Sequence, residues 1–218
     1  MTYATMADRN AIENEKTWAE RNLPVTTYGM LTETAGKFPD RNAVTYQLMS
    51  APDAKAETLS WRELHAKSTQ VANMLRELGV GETDVVAFMM PNATETVLAF
   101  VGGQIAGIVN PINPLLEAEQ VAAILRETNA KVLVTLRSFP KTDVAQKAAA
   151  AVAMAPNVQT ILEVDLHRYL TGVKKLIVPL IRPKNPVTHN AKVLDFNKEM
   201  DRQPTTLQFA DSTEDRVA

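Results

Sequence analysis

The middle of the chain alternates between short apolar runs and amphipathic helical patterns. The run DVVAFMM at residues 84–90 has no polar alternation, as expected of a strand that is buried on both faces of a parallel sheet. Three further strands are predicted at residues 107–113, 131–136 and 159–164, with helical patterns between them. The resulting β-α-β-α-β-α-β order over about residues 84–164 predicts an α/β fold with a parallel sheet, right-handed crossovers and helices on both faces.

Capping residues mark where the predicted helices begin and end. Ser60 and Glu63 form an S-x-x-E capping box at the start of an amphipathic helix. Asn92 is predicted to cap the helix that follows the first strand of the sheet, with Glu95 three residues later completing a second box. Asn129 is predicted to end a later helix in the left-handed conformation.

The N-terminal part of the chain is less regular. Residues 1–27 are predicted to form a loosely ordered lead-in with some helix around Trp18, and β-type runs at 43–49 and 57–61 predict a hairpin with a mobile loop. The N-terminus lacks the apolar core of a secretory signal, and no window approaches the ~18–20 apolar residues of a spanning helix. We therefore expect a soluble, cytoplasmic protein.

The segment LAFVGGQIAGIVNPINP (98–114) has the glycine density of a phosphate-binding loop but not its placement. Such a loop puts its glycines between a strand and a helix N-terminus, where free N–H groups meet the anion. Gly102 and Gly103 instead fall inside a predicted helix and Gly107 at its end, where carbonyl groups would repel phosphate. These glycines are predicted to serve close helix–sheet packing and a C-cap.

Composition and motifs mainly exclude functions. The net charge of −2 gives no general attraction to nucleic acid, and the absence of cysteine excludes disulfides and thiolate chemistry. The histidines, His65, His167 and His189, are scattered, and no P-loop, nucleophile elbow or zincin motif is present. The residues alone therefore indicate an α/β domain with no evident active site, and no catalytic or metal-binding residue is predicted.

Short motifs follow one another in a characteristic order over roughly residues 28–164. They are Pro39-Asp40-Arg41, Trp61-Arg62-Glu63-Leu64, Val71-Ala72-Asn73, Leu78-Gly79-Val80, Asp84-Val85-Val86-Ala87, Pro91-Asn92, Ala106-Gly107 and Asn110–Pro114. In order and spacing these motifs resemble the N-terminal part of a (long-chain) fatty acyl-CoA synthetase, a member of the adenylate-forming (AMP-binding) superfamily.

This resemblance implies an organisation in three parts. Residues 1–27 would be the lead-in, residues 28–164 an α/β subdomain of the AMP-binding large domain, and residues 165–218 a basic amphipathic insertion and connector. The parent enzyme would join a fatty acid to AMP using Mg-ATP and then pass the acyl group to coenzyme A. By position alone, Pro91-Asn92 and the Asn110–Pro114 turn would be candidates for a wall of the acyl or coenzyme A channel. Their alternative role is purely structural, as a helix cap and a proline-fixed turn.

The octet DSTEDRVA (211–218) resembles the acidic segment that, in this family, precedes the Ser/Thr/Gly-rich loop around the ATP phosphates. That loop and the later family motifs are not among these residues. The resemblance therefore implies an N-terminal fragment that is catalytically silent without the remainder of the synthetase, and cofactor-binding residues stay unassigned. Two alternatives remain open: a free-standing α/β binding module, and an interaction subunit that completes a partner enzyme. Homo-oligomers are compatible with more than one of these interpretations.

A basic stretch follows the last predicted strand. Residues 166–192 hold six Lys/Arg and no acidic residue. Apolar residues within the stretch recur at helical spacing, namely Leu170, Val173, Leu176, Ile177 and Leu180. This pattern predicts an amphipathic basic helix, broken near Pro179, that could lie on an anionic membrane surface. The alternative is a solvated face whose apolar side packs on the rest of the domain. By resemblance to bacterial long-chain synthetases, the stretch favours a fatty acyl substrate and a peripheral contact with the inner membrane.

Overall fold

The computed structural model describes most of the chain, namely residues 5–17, 19–51, 54–185, 187–214 and 218. Trp18, around which a helix was predicted, lies outside the described residues. So do positions 52 and 53 of the predicted hairpin loop.

The described residues form helices and strands that alternate after the first third of the chain. The α-helices are α1 (Met6–Glu13), α2 (Thr27–Lys37), α3 (Trp61–Glu77), α4 (Thr94–Ala106), α5 (Ala118–Glu127), α6 (Val144–Ala153), α7 (Gly172–Ile177) and α8 (Phe196–Asp201). The strands are β1 (Asn42–Gln47), β2 (Ala56–Ser60), β3 (Val85–Met89), β4 (Ile108–Pro111), β5 (Val132–Leu136), β6 (Thr160–Val164) and β7 (Lys192–Asp195). Short 3₁₀-helices occupy Ala19–Arg21, Leu166–Tyr169 and Val178–Ile181.

The main sheet has five parallel strands in the order β4-β3-β5-β6-β7. The four predicted strands are confirmed, and β5 at the centre of the sheet is buried at every position. The chain leaves β3 toward β4 and then crosses back over β3 to reach β5, so the strand order reverses between β3 and β5. This reversal is the topological switch point at which open α/β sheets commonly bind ligands.

Helices cover the two faces of this sheet. Helices α3, α4 and α8 pack together on one face, and α5 packs against α6 on the other, as right-handed crossovers require. The β1–β2 hairpin forms a separate antiparallel ribbon, which confirms the predicted hairpin. No helix in the described part of the chain is long and apolar enough to cross a membrane.

The glycines of α4 allow close packing on two sides. An ideal Cβ at Gly102 would lie 2.6 Å from Cβ of Val71 in α3, and one at Gly103 would lie 2.5 Å from Cγ2 of Val109 in β4. A Cβ at Gly107 would lie 2.5 Å from the Asp84 carbonyl oxygen. The predicted roles of Gly103 in helix–sheet packing and of Gly107 at the helix end are confirmed, whereas Gly102 packs against helix α3 rather than against the sheet.

Two of the three predicted helix boundaries are confirmed. The Ser60 backbone N–H donates to Glu63 Oε2 at 2.8 Å, and the Glu63 N–H donates to Ser60 Oγ at 3.3 Å, which completes the capping box. Asn129 has a φ of 50° after the end of α5, as predicted from its tolerance of the left-handed conformation.

The predicted cap of α4 is wrong. The N-cap residue is Ala93, not Asn92, and Glu95 does not complete a capping box with Asn92. Instead the Ala93 N–H donates to Thr96 Oγ1 at 3.0 Å, and the Thr96 hydroxyl donates to the Pro91 carbonyl at 2.8 Å. The side chain of Glu95 therefore does not cap the helix and is available to bind other residues inside the fold.

The basic stretch is less helical than its periodicity predicts. It contains a 3₁₀ turn, the short helix α7 and a second 3₁₀ turn around Pro179, followed by β7 and α8. The sequence pattern did not predict β7, because Lys192 and Asp195 flank only two apolar residues. The strand is defined by pairing with the free edge of β6, and α8 then holds it through the buried side chains of Phe196 and Met200.

A candidate functional site at the carboxyl edge of the sheet

An ionic cluster lies at the carboxyl edge of the sheet and is centred on the buried side chain of Glu95. Glu95 is in the first turn of α4 and is fully buried. Its Oε1 accepts hydrogen bonds from Arg168 Nη1 at 2.7 Å and from Asn197 Nδ2 at 2.9 Å, and its Oε2 accepts one from the Tyr169 hydroxyl at 2.6 Å. The elements that follow β3, β6 and β7 therefore meet on one carboxylate.

Glu57 of β2 extends this cluster to the hairpin. Arg168 donates to both oxygens of Glu57, and the Tyr169 hydroxyl lies 3.2 Å from Glu57 Oε2. Burial would raise the pKa of Glu57, but the hydrogen bonds and charge of Arg168, together with hydrogen bonds from Thr94 and Tyr169, outweigh it and hold that pKa below its usual value. We refer to Glu57, Glu95, Arg168, Tyr169 and Asn197 as the Glu95 cluster.

The donors of this cluster are held in their donating forms. Burial, followed by the charge of Glu95, raises the pKa of Tyr169 well above its usual range, so the hydroxyl keeps its proton. Burial disfavours the charge on Arg168, but the hydrogen bond to Glu57 and the charge of Glu95 more than offset this and raise the pKa of Arg168. The guanidinium therefore stays charged.

A second ionic cluster lies at the ends of β5, β6 and β7. Arg137 Nε donates to Glu163 Oε2 at 3.1 Å, and Arg137 Nη1 lies 3.6 Å from Asp165 Oδ2 and 3.9 Å from Asp195 Oδ2. Arg182 Nη2 donates to the two Asp165 oxygens at 2.8 and 2.7 Å. Although burial opposes it, the hydrogen bond and charge of Glu163 and the nearby aspartates raise the pKa of Arg137. This Arg137 cluster fixes the segment that contains Arg182 to the sheet edge.

The charged side chains of both clusters are paired with one another. A general base needs a carboxylate that can reach the substrate proton, whereas Glu95 is fully buried and accepts three hydrogen bonds. In the described part of the chain, no group of three or more His, Asp or Glu side chains could hold a metal ion. The role that this geometry supports is structural, because each network connects segments that are distant in the sequence.

The predicted strand-end loops lie at this same edge of the sheet. Pro91 and Asn92 are exposed after β3, next to the switch point between β3 and β5. There the hydroxyl of Thr135 in β5 donates to the Met89 carbonyl at 2.9 Å. In the turn after β4, Asn113 Oδ1 accepts the N–H of Leu115 at 3.0 Å, so this side chain stabilises the turn.

The three histidines lie in separate places. His65 stacks on Tyr28 with a ring-centroid distance of 5.2 Å and lies 3.0 Å from the Thr32 hydroxyl, and burial lowers the pKa of His65. His167 Nε2 lies 2.6 Å from the Lys175 carbonyl oxygen. His189 lines a shallow cleft of about 210 Å³ near the end of α6.

Two clefts open beside the Glu95 cluster. A polar cleft of about 150 Å³ is lined by Lys55, Glu57, Arg168 and Tyr169. A larger one of about 320 Å³ lies between the hairpin and the segment that leads into α7, and it shares Lys55 and Tyr169 with the first.

The residues of the Glu95 cluster were not predicted as a site. From the sequence, Glu95 is predicted to belong to a helix cap, and Arg168 belongs to the basic stretch. Glu57 and Arg168 are 111 positions apart, so no local spacing could have paired them. The one available signal is Glu95 itself, the only charged residue of α4.

The chain matches the family described as "AMP-binding enzyme" over residues 31–193. It is 29% identical to the long-chain-fatty-acid–CoA ligase of Bacillus subtilis (strain 168) over 176 residues, which cover 79% of this chain and 28% of the relative. It is 30% identical to the marinolic acid–CoA ligase of Pseudoalteromonas sp. (strain SANK 73390) over 132 residues, which cover 61% of this chain and 20% of that protein.

The fold also resembles a solved structure. The crystal structure of the anthranilate CoA ligase AuaEII in complex with anthranoyl-AMP matches with a TM-score of 0.63 and 22% identity. The match covers 88% of this chain and 31% of that one, so it supports the fold. The chain spans less than a third of the length of the relatives and of this structure.

Proposed function

Since the chain belongs to the AMP-binding enzyme family, we propose that the whole protein is an adenylate-forming CoA ligase. In the proposed reaction, the substrate carboxylate attacks the α-phosphorus of ATP, which gives an acyl-adenylate and releases pyrophosphate. The thiol of coenzyme A then attacks the acyl carbon and releases AMP. The observation that carries this proposal is the family match over residues 31–193, together with relatives that are named CoA ligases.

The substrate class we propose is a long-chain fatty acid. Of the two relatives compared by sequence above, the B. subtilis protein, which is named for such a substrate, aligns over the larger share of this chain. The exposed apolar and basic side chains of α7 are also suited to a protein that draws an amphipathic acid from a lipid surface. Marinolic acid and anthranilate, named for the other two proteins, represent the competing classes of acid.

The part of the enzyme described here is proposed to be scaffold rather than reaction centre. Its carboxylates and arginines at the sheet edge are paired with one another in the Glu95 and Arg137 clusters. A phosphate-binding loop would place its glycines between a strand and a helix N-terminus, and no such Gly-rich loop occurs among the described residues. The glycines of α4 lie toward its C-terminal end instead. These residues therefore do not fit a cradle for the phosphates of Mg-ATP, and we assign them no step that involves it.

By position, the strand-end loops are proposed to form part of a channel wall. Pro91-Asn92 and the Asn110–Pro114 turn follow β3 and β4, at the sheet edge where ligands of α/β folds gather. Neither loop carries a side chain to which we assign chemistry. We propose that these loops contribute only to the shape of the channel wall.

The test is acyl-CoA formation by the complete protein that the gene encodes. Palmitate, benzoate and anthranilate are each supplied with Mg-ATP and coenzyme A, and acyl-CoA and AMP are followed by chromatography. The proposal predicts equal amounts of the two products and the highest kcat/KM with palmitate. Preference for an aryl acid would overturn the substrate class, whereas no acyl-CoA or AMP with any acid would favour a binding or interaction module without catalysis.

A further inference from the structure

An extended segment that follows helix α8 lies along helix α3. Residues 203–211 contain neither helix nor strand. Gln70 Nε2 donates to the Gln203 carbonyl oxygen at 2.8 Å, and later residues of the segment contact Asn73 and then Arg76. The segment therefore runs in the direction of α3, from the carboxyl edge of the sheet toward the amino edge, where α3 leads into β3. We refer to residues 203–211 as the strap.

Asn73 holds the middle of the strap with its whole side-chain amide. Its Nδ2 donates to the carbonyl oxygens of Pro204 and Thr206, each at 2.9 Å, and its Oδ1 accepts the N–H of Gln208 at 2.9 Å. Asn73 is only 3% exposed, so the two donors and the acceptor of a buried amide are all used. Because its three partners are backbone groups, Asn73 fixes the path of the strap and not merely the orientation of one side chain.

The end of the strap is anchored as well. Leu207 and Phe209 pack against the hydrophobic core, and the guanidinium carbon of Arg76 lies 4.3 Å from the centroid of the Phe209 ring. The hydroxyl of Thr26, the N-cap residue of α2, donates to Asp211 Oδ2. Helices α2 and α3 thus hold a segment through hydrogen bonds to residues 131 to 185 positions later in the chain.

Side-chain contacts, and not a strand ladder, set the position of the strap. Within the described residues it pairs with no strand, and its backbone groups bind the side chains of Gln70 and Asn73 instead. Asn73 supplies three of these hydrogen bonds, so its amide is the main hold on the middle of the strap. The point from which the polypeptide continues after Asp211 therefore depends on Asn73.

We propose that Asn73 is a positioning residue of the complete ligase. Through the strap it sets the place and direction in which the polypeptide continues after Asp211, and so aligns the reaction centre with this scaffold. The inference rests on the proposed function, in which the described residues serve as scaffold and do not form the reaction centre. Asn73 itself touches no reacting group. A displacement of about 1 Å between aligned reacting groups lowers a rate by up to about 100-fold, so a loosened strap should slow the reaction.

Hydrogen exchange of the complete protein, followed by mass spectrometry, tests the contact. In the wild type, the strap should exchange slowly, because the Gln208 N–H is bonded to Asn73. Asn73→Ala should speed exchange in the strap about tenfold or more. The matched control is Val121→Ala, which shortens a fully buried side chain of α5 on the opposite face of the sheet. It should lower the melting temperature but leave exchange in the strap unchanged.

Steady-state kinetics of the same proteins test the role in the reaction. Palmitate, Mg-ATP and coenzyme A are supplied at a temperature at which all variants are folded, and acyl-CoA and AMP are measured. Asn73→Ala should lower kcat by about 10- to 100-fold, with little change in KM for ATP or palmitate. Val121→Ala should keep the wild-type kcat, so a general loss of stability is distinguished from a loss of position.

Variants of Asp211 give an independent check that holds even if Asn73→Ala does not fold. Asp211→Ala removes the acceptor of the Thr26 hydroxyl and leaves Thr26 free to cap α2. This variant should lower kcat by about fivefold or more, because it releases the end of the strap. Asp211→Asn keeps an acceptor oxygen and should retain the wild-type kcat.

Two results would overturn the proposal. One is unchanged exchange of the strap in Asn73→Ala, and the other is a kcat for Asn73→Ala and Asp211→Ala that equals that of Val121→Ala although the strap is released. Failure of the proposed function is recognised separately, in the wild type. If the wild type gave no acyl-CoA or AMP with any acid, the ligase and the role of Asn73 in its reaction would both be rejected, whereas faster exchange of the strap in Asn73→Ala would still confirm the contact.

Discussion

The Tyr169 hydroxyl donates a 2.6 Å hydrogen bond to the fully buried carboxylate of Glu95, which lies 74 positions earlier in the chain. The same carboxylate also accepts hydrogen bonds from Arg168 and Asn197, so the elements after three parallel strands share one acceptor group. Such a shared buried acceptor fixes the relative positions of those elements, since moving one of them leaves a charge unpaired. The carboxyl edge of the sheet is rigid for this reason.

Removing the Glu95 carboxylate should therefore destabilise the fold. We expect Glu95→Ala to lower the free energy of unfolding by about 2–4 kcal/mol, because Arg168 and Tyr169 lose a buried partner. Glu119→Ala is the matched control, since Glu119 occupies the second position of α5, as Glu95 does in α4, but is exposed. Urea denaturation gives both values, and similar losses for the two variants would contradict the structural role of Glu95.

Two helical glycines should respond in opposite directions to alanine. Gly102→Ala places a Cβ 2.6 Å from Val71 and should cost about 1–3 kcal/mol through overpacking between α3 and α4. Gly36→Ala in α2 meets no atom within 4 Å and should gain about 0.5–1 kcal/mol, because alanine favours the helix. Thermal melting distinguishes the two, and stabilisation by both substitutions would show that α3 and α4 can separate without cost.

The start of α4 allows a direct test of two assignments, because the sequence predicts a cap by Asn92 whereas the structure shows a hydrogen bond to Thr96. Thr96→Val removes the hydroxyl that accepts the Ala93 N–H and should destabilise the protein by about 1 kcal/mol. Asn92→Ala should change stability by less than about 0.5 kcal/mol, because Asn92 is exposed and does not cap the helix. If chemical denaturation gave a larger loss of stability for Asn92→Ala than for Thr96→Val, Asn92 would be the cap of α4 after all.

The ion pair at the other end of the sheet should make stability depend on pH. Lys131 Nζ lies 2.6 Å from Asp84 Oδ2, and this hydrogen bond, with one from the Gly81 N–H, lowers the pKa of Asp84. A carboxyl whose pKa is lower in the folded state stabilises the fold above its unfolded pKa of about 4 and loses this contribution as pH falls through the folded pKa. The stability advantage of the wild type over Asp84→Asn should therefore be complete near neutral pH and shrink under acid.

Denaturation curves measured from neutral to strongly acidic pH check this dependence. Lys131→Met should remove most of the same pH-dependent contribution, because it takes away the main cause of the lowered pKa. An advantage over Asp84→Asn that stays constant down to the lowest pH would contradict the assignment.

The sheet could be predicted because its strands carry their own signal. β5 is buried at every position, and all of its residues except Thr135 are apolar. Most residues of β3 and β6 are likewise apolar and buried. The strand β7 gave no such signal, because it is an edge strand of four residues that is exposed at Lys192 and Val193. Its existence depends on pairing with β6, which is a tertiary contact.

The ionic clusters could not be predicted for a related reason. Glu95 has the spacing of a capping-box residue, and the local pattern favoured that role. Thr96 took over the contact with the Ala93 N–H, and the fold brought Arg168 and Asn197 to Glu95. Local spacing identifies a capping box, but it carries no information about partners that are about 70 to 100 positions away.

Our central proposal is that these residues serve as scaffold in an adenylate-forming enzyme and do not form its reaction centre. Pyrophosphate release by the 218-residue chain, supplied with palmitate and Mg-ATP, tests this claim most directly. The account predicts a rate equal to the blank without protein, under conditions where circular dichroism shows the chain folded. Acid-dependent release above the blank would contradict it and would place a catalytic site among the residues described here.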